Sequence, residues 1–283
     1  MWLFCICKRK YMRKIFILLK DYIHTSVVSG SRIDFFFFYW RVKLWTFFRR
    51  VFHSTMIDTM SEKSYFIIKN SVGTFMIPRT HDDTLTICSE YFESHLMHWL
   101  DKPPKKRTLI DIGANRGRYT ILGLLSYNYS HAYAFEPFPQ TIDVLIKNIS
   151  LNELDKQVSI MSFALGAREE SAEIYVDTAH LGGAAIQDTS IAGSTKSHTT
   201  IQVKTLDSCI TPEIAQTIDF IKIDTEGYEK DVLLGATTTL SLLSSGAHLM
   251  IETENQDEIA NFLSDFNIVV LERIKSDSLF VKK

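Results

Sequence analysis

The chain has 283 residues, of which 46% are hydrophobic and 23% charged, a balance that excludes a disordered or fibrous protein and indicates a globular enzyme. The formal net charge is only −2, but residues 1–55 carry 11 Lys and Arg against two acids, which leaves 20 against 31 in the rest. The two parts therefore differ in physical character, and the larger, acidic part would repel the phosphates of a nucleic acid.

Residues 1–55 form a basic and strongly aromatic segment. They hold almost half of all Phe, Tyr and Trp residues, with an unbroken aromatic run at 35–40, which favours peripheral contact with an anionic membrane surface. The basic residues beside the run are Arg41, Lys43, Arg49 and Arg50. Two alternatives stay open: the aromatic side chains form a helical cover packed on the core, or the true start is Met56 or Met60. Charged residues interrupt the apolar stretches, so neither a membrane-spanning helix nor a signal peptide is predicted.

Residues 56–105 are predicted to form a small N-terminal cap. Strand-like runs at 65–68 and 74–77 flank the sequence Asn-Ser-Val-Gly, which is typical of a hairpin turn. A helix is predicted over 90–100, and the following Pro-Pro pair marks its end and the boundary of the next domain.

The cysteines and histidines show no spacing typical of a metal site. The four cysteines include no C-x-x-C pair, which favours a reducing, cytoplasmic compartment. His95 and His98 are three residues apart in the predicted helix, where ordinary helix histidines are the more common interpretation than a metal-binding pair. No metal site is predicted.

From residue 106 to 283, short apolar strands alternate with helical stretches. The strand candidates are 108–112, 131–135, 158–163, 220–223, 248–251 and 268–271, and the helix candidates are 117–125, 138–151, 228–243 and 257–266. This alternation predicts a mostly parallel α/β sheet covered by helices on both faces. A last run at 278–281 predicts an antiparallel edge strand. Between paired strands at 172–176 and 201–203, the stretch 177–200 is predicted to be a long lid or binding loop.

A glycine turn follows the first of these strands. Asp111, Gly113 and Gly117 occur where a strand gives way to a helix, and the two glycines would let the backbone approach a ligand closely. Asp111 at the strand end would repel a pyrophosphate but attract an ammonium group, which favours S-adenosylmethionine over NAD. An ordinary strand-to-helix turn is the alternative for this pattern alone.

Carboxylates follow three further strands. Glu136 ends the second strand, where it could accept hydrogen bonds from the hydroxyls of a ribose or, alternatively, stabilise a helix N-terminus. Asp224, Glu226 and Glu229 follow the fourth strand close behind Lys222, and Glu252 ends the fifth. The carboxyl ends of parallel strands meet at one sheet edge, where ligands bind. Glu229 is explained as well by a first-turn helix position.

These motifs together resemble the FkbM family of methyltransferases, over roughly residues 106–255. The matching stretches are Leu109–Thr120 with Asp-Ile-Gly-Ala-Asn-Arg-Gly, Phe135–Pro137, Asn148–Asn152, Thr205–Asp207, Lys222–Glu229 and Gly235-Ala236. The resemblance implies a class I, Rossmann-like methyltransferase fold that uses S-adenosylmethionine to O-methylate sugars or other natural products. The residues that it assigns to the cofactor are Asp111, Gly113, Asn115, Gly117 and Glu136. Residues 1–105 lie outside it.

Methyl transfer to a hydroxyl requires alignment of the acceptor and removal of its proton. Asp224 is the first candidate to act as base or to orient the acceptor, Glu226 the second and Glu252 the third. The same carboxylates could instead bind a divalent metal, but the sequence shows no further ligands. An NAD-dependent oxidoreductase and a non-catalytic docking protein that retains the fold are the alternative functions. The identity of the acceptor depends on the cap and on residues 177–200.

Overall fold

The computed structural model describes the following residues: 22, 25–29, 32, 35–36, 38–40, 65–78, 87–177, 180–185 and 196–283. The chain divides into two compact units, residues 1–94 and residues 95–283. Among the described residues, no helix is long and apolar enough to cross a membrane.

The first unit contains a three-stranded antiparallel sheet. Its strands, in spatial order, are β1 (Ser26–Ser29), β2 (Tyr65–Lys69) and β3 (Thr74–Pro78). The turn between β2 and β3 is held by Asn70, whose Oδ1 accepts from the N–H groups of Val72 at 3.0 Å and Gly73 at 3.3 Å. Such side-chain bonds to nearby backbone groups are what makes asparagine a turn residue. The predicted hairpin is confirmed.

Part of the aromatic run packs against this sheet. Phe35, Phe38 and Tyr39 are buried, and the ring centroids of Phe35 and Phe38 lie 5.1 and 5.4 Å from that of Phe66 on β2. For these side chains the structure favours the packed cover over the membrane-facing alternative. The four basic residues that motivated the membrane prediction lie outside the described residues, as do Met56 and Met60.

The second unit contains a seven-stranded sheet and a four-stranded sheet. The strands in chain order are β4 (Thr108–Ile112), β5 (His131–Phe135), β6 (Val158–Met161), β7 (Ala164–Leu165), β8 (Glu170–Asp177), β9 (His180–Ala185), β10 (Lys196–Lys204), β11 (Ile218–Ile223), β12 (His248–Glu252), β13 (Ile268–Ile274) and β14 (Asp277–Lys282). The order in the larger sheet is β13-β14-β12-β11-β4-β5-β6. All neighbours from β12 to β6 pair in parallel, and their apolar side chains form the core of the unit.

The placement of β14 differs from the prediction. It is antiparallel, as predicted, but it lies between β12 and β13 rather than at the edge. Burial explains the difference, because nearly every residue of β14 is buried, whereas Val269, Val270 and Leu271 of β13 are exposed. A strand buried along its length needs neighbours on both sides, and the partly exposed β13 therefore takes the edge.

The smaller sheet has the order β7-β10-β8-β9. The predicted pairing of the runs 172–176 and 201–203 is confirmed, with Ala172 opposite Ile201 in the antiparallel pair of β8 and β10. The prediction of a long loop at 177–200 is wrong, since β9 and the first part of β10 occupy much of it. Residues 178–179 and 186–195 lie outside the described residues.

The helices of the second unit lie between the strands in sequence. They are α1 (Arg118–Tyr127), α2 (Pro139–Leu151), α3 (Leu206–Cys209), α4 (Pro212–Ala215), α5 (Glu229–Leu234), α6 (Thr237–Leu242) and α7 (Gln256–Ser264). The helix predicted over 228–243 is divided at Gly235, where a Cβ atom would lie 2.0 Å from the carbonyl oxygen of Gly166. The mostly parallel sheet with interspersed helices confirms the predicted class I methyltransferase fold class.

The helix predicted over 90–100 is replaced by turns and a short 3-10 helix (Met97–Asp101). Glu93 has a left-handed backbone angle, with φ of 47°, which a continuous α-helix does not tolerate. The 3-10 helix belongs to the second unit, where Trp99 is buried and its Nε1–H donates to Oε2 of Glu272 at 3.0 Å. Residues 95–105 are therefore part of the larger unit rather than of a separate cap.

Candidate active site

The turn between β4 and α1 is held by backbone hydrogen bonds to the neighbouring strand. The N–H groups of Gly113 and Ala114 donate to the carbonyl oxygen of Phe135, at 3.0 and 2.9 Å. Gly113, Asn115 and Gly117 have left-handed backbone angles, with φ of 73°, 51° and 82°. Glycine and asparagine adopt this conformation at least cost, which explains their spacing in the sequence.

Both glycines of this turn lie against other parts of the protein. A Cβ atom on Gly113 would lie 1.8 Å from the carbonyl oxygen of Asp224, and one on Gly117 would lie 2.6 Å from Cδ1 of Leu145. A side chain at either position would push the turn away from its neighbours. The sequence suggested that the two glycines let the backbone approach a ligand. In the structure, they let the backbone approach the end of β11 and α2. Contact of the two glycines with the cofactor stays a prediction.

Asp111 has no exposed surface. Its Oδ2 accepts from the N–H and the Oγ1–H of Thr120, at 3.0 and 2.6 Å, so the carboxylate stabilises the N-terminal turn of α1. Its Oδ1 lies 3.8 Å from Nζ of Lys222. Burial raises the pKa of Asp111, and the charge of Lys222 acts against that rise. Within the protein, the ammonium that Asp111 faces belongs to Lys222, and attraction of a ligand by Asp111 stays a prediction.

Glu136 joins the turn to the start of α2. Its Oε2 accepts from the N–H of Asn115 and its Oε1 from the N–H of Phe138, each at 2.9 Å. Burial raises the pKa of Glu136, while the two N–H donors lower it. Each carboxylate oxygen has two acceptor sites, so both oxygens keep capacity for a further hydrogen bond. A buried, oriented carboxylate with this capacity fits the two hydroxyls of a ribose.

Asn148 on α2 and a buried arginine within the turn hold the turn in place. Asn148 is fully buried and its Nδ2 donates to the carbonyl oxygen of Arg116 at 2.9 Å. Nδ2 of Asn152 in turn donates to the carbonyl oxygen of Asn148 at 2.7 Å. Arg116, whose Nη1 donates to Oδ1 of Asn115, is buried and was not recognised in the sequence. The asparagines of the motif therefore have a structural role, which is to hydrogen bond the turn and the end of α2.

Lys222 lies between the turn and the end of β11. Its side chain is 5% exposed, an unusual burial for lysine. Its Nζ donates to the carbonyl oxygen of Gly113 at 3.1 Å and pairs with Oδ2 of Asp224 at 3.0 Å. The ammonium also lies 5.2 Å from the ring centroid of Tyr119. A lysine between apolar residues at the end of a buried strand is the sequence signal that could have indicated this role.

Glu226 is an exposed residue whose carboxyl pKa is raised by its surroundings. It has a left-handed backbone angle, with φ of 55°. Desolvation of the carboxyl group, together with neighbouring charges, raises the pKa of Glu226 to about 7. The charges of Asp224, Glu252 and Glu229 add to the rise, and that of Lys222 opposes it. A pKa near neutral is typical of a group that exchanges a proton during catalysis.

The carboxylate cluster consists of Asp224, Glu226, Glu229 and Glu252. Glu229 and Glu252 have partners within the protein. Oε1 of Glu229 accepts from the N–H and Oγ1–H of Thr225 and from the N–H of Gly227, at 3.1, 3.0 and 2.9 Å. Glu229 therefore shapes the loop, as its first-turn position suggested. Oε1 of Glu252, at the end of β12, accepts from Oγ of Ser276 at 3.2 Å. Among the described residues, no group of three or more His, Cys, Asp or Glu is placed to hold a metal ion.

The threonine-leucine-aspartate and glycine-alanine motifs meet in a structural contact. Asp207 accepts hydrogen bonds from the N–H groups of Thr238 and Thr239 at 2.9 and 2.8 Å. Thr205 caps α3 by accepting from the N–H of Ser208 at 3.1 Å. Asp207 thus stabilises the N-terminus of α6 from outside the helix, and neither motif brings a side chain into the carboxylate cluster.

The model of the Methyltransferase FkbM domain matches residues 111–268, which is more than half of the chain. The chain belongs to the FkbM methyltransferase family. It is therefore a methyltransferase, and the family assignment confirms S-adenosylmethionine as the predicted cofactor. The oxidoreductase alternative is set aside on the same ground.

Known proteins of this type are distant in sequence. Methyltransferase sdnD of Sordaria araneosa is 24% identical over 177 residues, which cover 53% of this chain and 67% of that protein. Among solved structures, methyltransferase FkbM of Methylobacillus flagellatus is 17% identical with a TM-score of 0.44, over 68% of this chain and 46% of that chain. TYW2 of M. jannaschii, solved with AdoMet, is 12% identical with a TM-score of 0.45, over 81% and 88%. The chain thus spans less than half of the FkbM structure that it matches.

Proposed function

We propose that the protein transfers a methyl group from S-adenosylmethionine to a hydroxyl oxygen on a sugar, glycan, lipid or other small natural product. The observation that carries this proposal is the juxtaposition of the β4 turn with the carboxylate cluster. The carbonyl oxygen of Asp224 lies against Gly113. The first residue of the acidic loop after β11 is therefore in contact with the start of the β4 turn. A nucleic-acid acceptor is disfavoured, because carboxylates at this edge would repel its phosphates.

The cofactor is assigned to the turn and to Glu136. The residues that would hold it are Asn115 and Glu136, which are hydrogen bonded to each other, with Gly113 and Gly117 shaping the turn. Asp111 is proposed to support the site indirectly, because it stabilises the start of α1 and lies near the charge of Lys222. When bound, S-adenosylmethionine supplies a methyl group on a sulfonium sulfur.

The acceptor is assigned to the carboxylates of the cluster, with different roles. Asp224 is paired with a buried ammonium, and a carboxylate held in this way can orient an acceptor hydroxyl by accepting its hydrogen bond. Glu226 has the pKa matched to neutral pH and is the proposed proton acceptor. Glu252 is the third candidate, with Ser276 as its partner. The proton of the hydroxyl leaves to one of these carboxylates as the oxygen gains the methyl group.

Peripheral membrane contact through residues 1–55 stays a proposal that concerns mainly residues outside the described part of the chain. Since Phe35, Phe38 and Tyr39 are buried, the basic side chains would carry most of the attraction. Full-length protein is expected to sediment with anionic vesicles and to be released by salt. Equal sedimentation of a variant in which Arg41, Lys43, Arg49 and Arg50 are replaced by serine would remove the proposal.

The test of the function is methyl transfer to candidate acceptors with isotopically labelled S-adenosylmethionine. Mass spectrometry of sugars, glycans and lipids after reaction locates the label, and fragmentation distinguishes an O-methyl product from an N-methyl product. With the acceptor identified, Asp224→Asn is expected to lower turnover far more than it lowers cofactor affinity. Label found only on nitrogen, or only on tRNA, would contradict the proposed acceptor class while leaving the methyltransferase assignment intact.

A further inference from the structure

We propose that Lys222 is a positioning residue, which fixes the distance between the cofactor turn and the acceptor-orienting carboxylate Asp224. No motif function assigned above requires a lysine here, and an apolar residue would suit a strand that is buried along its whole length. The consequence for methyl transfer rests on the proposed roles of Asp224 and Glu226, but the consequence for cofactor binding does not.

The contacts of Lys222 join three separate parts of the chain. Its ammonium donates to the carbonyl oxygen of Gly113 in the turn at 3.1 Å, and it pairs with Oδ2 of Asp224 at 3.0 Å. It also lies 3.8 Å from Oδ1 of Asp111, which anchors α1 through Thr120. One buried cation therefore bonds to the turn and to the end of β11, and its charge also lies near the carboxylate that fixes α1. A buried ammonium that bonds to two separate segments limits how far those segments can move apart.

The charges around Lys222 make its loss consequential. Asp111 and Asp224 face it directly, and its charge also lowers the pKa values of Glu136 and Glu226 against the effect of their burial. Glu252 and Glu229 face Glu226 with the opposite effect. Without the ammonium, the buried carboxylate of Asp111 would lose its compensating charge.

The chain offers a matched control in Lys282 on β14. Its Nζ donates to the carbonyl oxygens of Leu240 at 3.0 Å and Phe266 at 2.7 Å, so it also holds separate segments together through backbone carbonyls. It lies outside the residues assigned to the cofactor and the acceptor. Lys282→Met therefore reports the effect of losing a bridging lysine on stability alone.

The experiment compares Lys222→Met, Lys222→Arg and Lys282→Met by calorimetric titration with S-adenosylhomocysteine and S-adenosylmethionine. If Lys222 positions the turn, its replacement by Met weakens binding of both ligands at least about tenfold, a loss of the order of one charge-assisted hydrogen bond. If it acted through its charge alone, removal of a positive charge would strengthen binding of the cationic S-adenosylmethionine. Lys282→Met is expected to bind both ligands within about twofold of wild type.

A second measurement follows the carboxyl group of Glu226 directly, by NMR titration of protein labelled with carbon-13 in glutamate, assigned with Glu226→Gln. Lys222→Met is expected to raise the titration midpoint by at least about half a pH unit, because an opposing positive charge is lost. Lys222→Arg keeps the charge and is expected to keep the midpoint, yet it weakens cofactor binding because a planar guanidinium does not replace a compact ammonium. It also decides the question if Lys222→Met fails to fold.

Two outcomes would overturn the inference. One is cofactor binding by Lys222→Arg, or by a folded Lys222→Met, that equals wild type within about twofold. The other is an equal loss of binding in Lys282→Met, which would show that the effect is one of general stability. Neither measurement uses an acceptor, so an incorrect acceptor class would leave both results interpretable.

Discussion

The turn that follows β4 and the loop that follows β11 lie at the same edge of the sheet and treat their carboxylates differently. In the first region, Asp111 and Glu136 are buried, and their oxygens accept hydrogen bonds from backbone or hydroxyl donors. In the second, Glu226 is exposed, crowded by other carboxylates and held in a left-handed backbone conformation. The comparison indicates that the proposed cofactor region holds buried carboxylates in fixed hydrogen-bond geometry, whereas the region of the proposed chemistry holds an exposed carboxylate with a pKa near neutral.

The largest effect is expected from Glu226→Gln. Loss of the proposed proton acceptor lowers turnover about 100- to 10,000-fold, the usual contribution of a general base. Cofactor affinity is expected to stay near that of wild type, because Glu226 belongs to the other region. The measurement is initial-rate kinetics with the identified acceptor, alongside titration with S-adenosylhomocysteine. Glu258→Gln, which removes an exposed partner of Lys230, is the control. Turnover within twofold of wild type would transfer the role to Asp224 or Glu252.

The next effect is that of Glu136→Ala on cofactor binding. Hydrogen bonds to a charged acceptor are worth about 1.5 to 3 kcal/mol, so affinity for S-adenosylhomocysteine is expected to fall about 10- to 150-fold. The variant also loses the acceptors of Asn115 and Phe138, so circular dichroism must confirm that it is folded. An unchanged dissociation constant in a folded variant would remove Glu136 from the cofactor site and weaken the contrast between the two regions.

The pH dependence of the reaction tests the second region by itself. Because the pKa of Glu226 is raised to about 7, kcat/KM is expected to fall about tenfold per pH unit below that value, as the base becomes protonated. The stability of the fold depends on pH in the opposite direction from kcat/KM. The folded-state pKa lies above the unfolded value, so stability present at low pH is lost as pH rises from about 4 to about 7. Glu226→Gln should lack this loss in thermal melts. A flat rate profile from pH 5 to 8 would contradict the assignment.

The smallest effect on activity is expected from Asp207→Ala, which lies outside both regions. It removes the acceptor of the N–H groups that begin α6 and is expected to lower the free energy of unfolding by about 1 to 2 kcal/mol. Denaturant titration measures this change. Cofactor affinity and turnover are expected to stay at wild-type values, and Asp207→Asn should recover part of the stability. A selective loss of turnover would show that the motif serves the reaction as well as the fold.

Local patterns predicted the strands of the sheet and the residues at their ends. The apolar runs of β4, β5, β11 and β12 and the conformation of the glycine turn follow from short-range rules. Contacts between distant residues were not predictable in this way. The bond from Lys222 to Gly113 spans 109 positions, so the sequence around either residue does not identify the other as its partner. The same reason explains why the packing of Gly113 against Asp224 was attributed to a ligand.

The smaller sheet shows a second limit. Its strand β9 has the sequence His-Leu-Gly-Gly-Ala-Ala, which lacks the β-branched and aromatic residues by which strands are recognised. It forms because β8 offers an edge with which it can pair. The strand propensity of these residues therefore predicted a loop, whereas pairing with β8 makes the segment a strand. The burial of Arg116 has a similar origin, since its partner Asn115 and the asparagine on α2 are brought together only by the fold.

The position of β14 has a consequence for the order in which the sheet is completed. β13 precedes β14 in the chain but contacts the rest of the sheet only through it, so β13 cannot dock before its successor exists. The two strands are joined by the two residues Lys275 and Ser276 in a tight hairpin, with φ of 58° at Lys275. We expect such a hairpin to form locally and to dock as one unit. The edge of the sheet is therefore a single cooperative element, gained or lost as a pair.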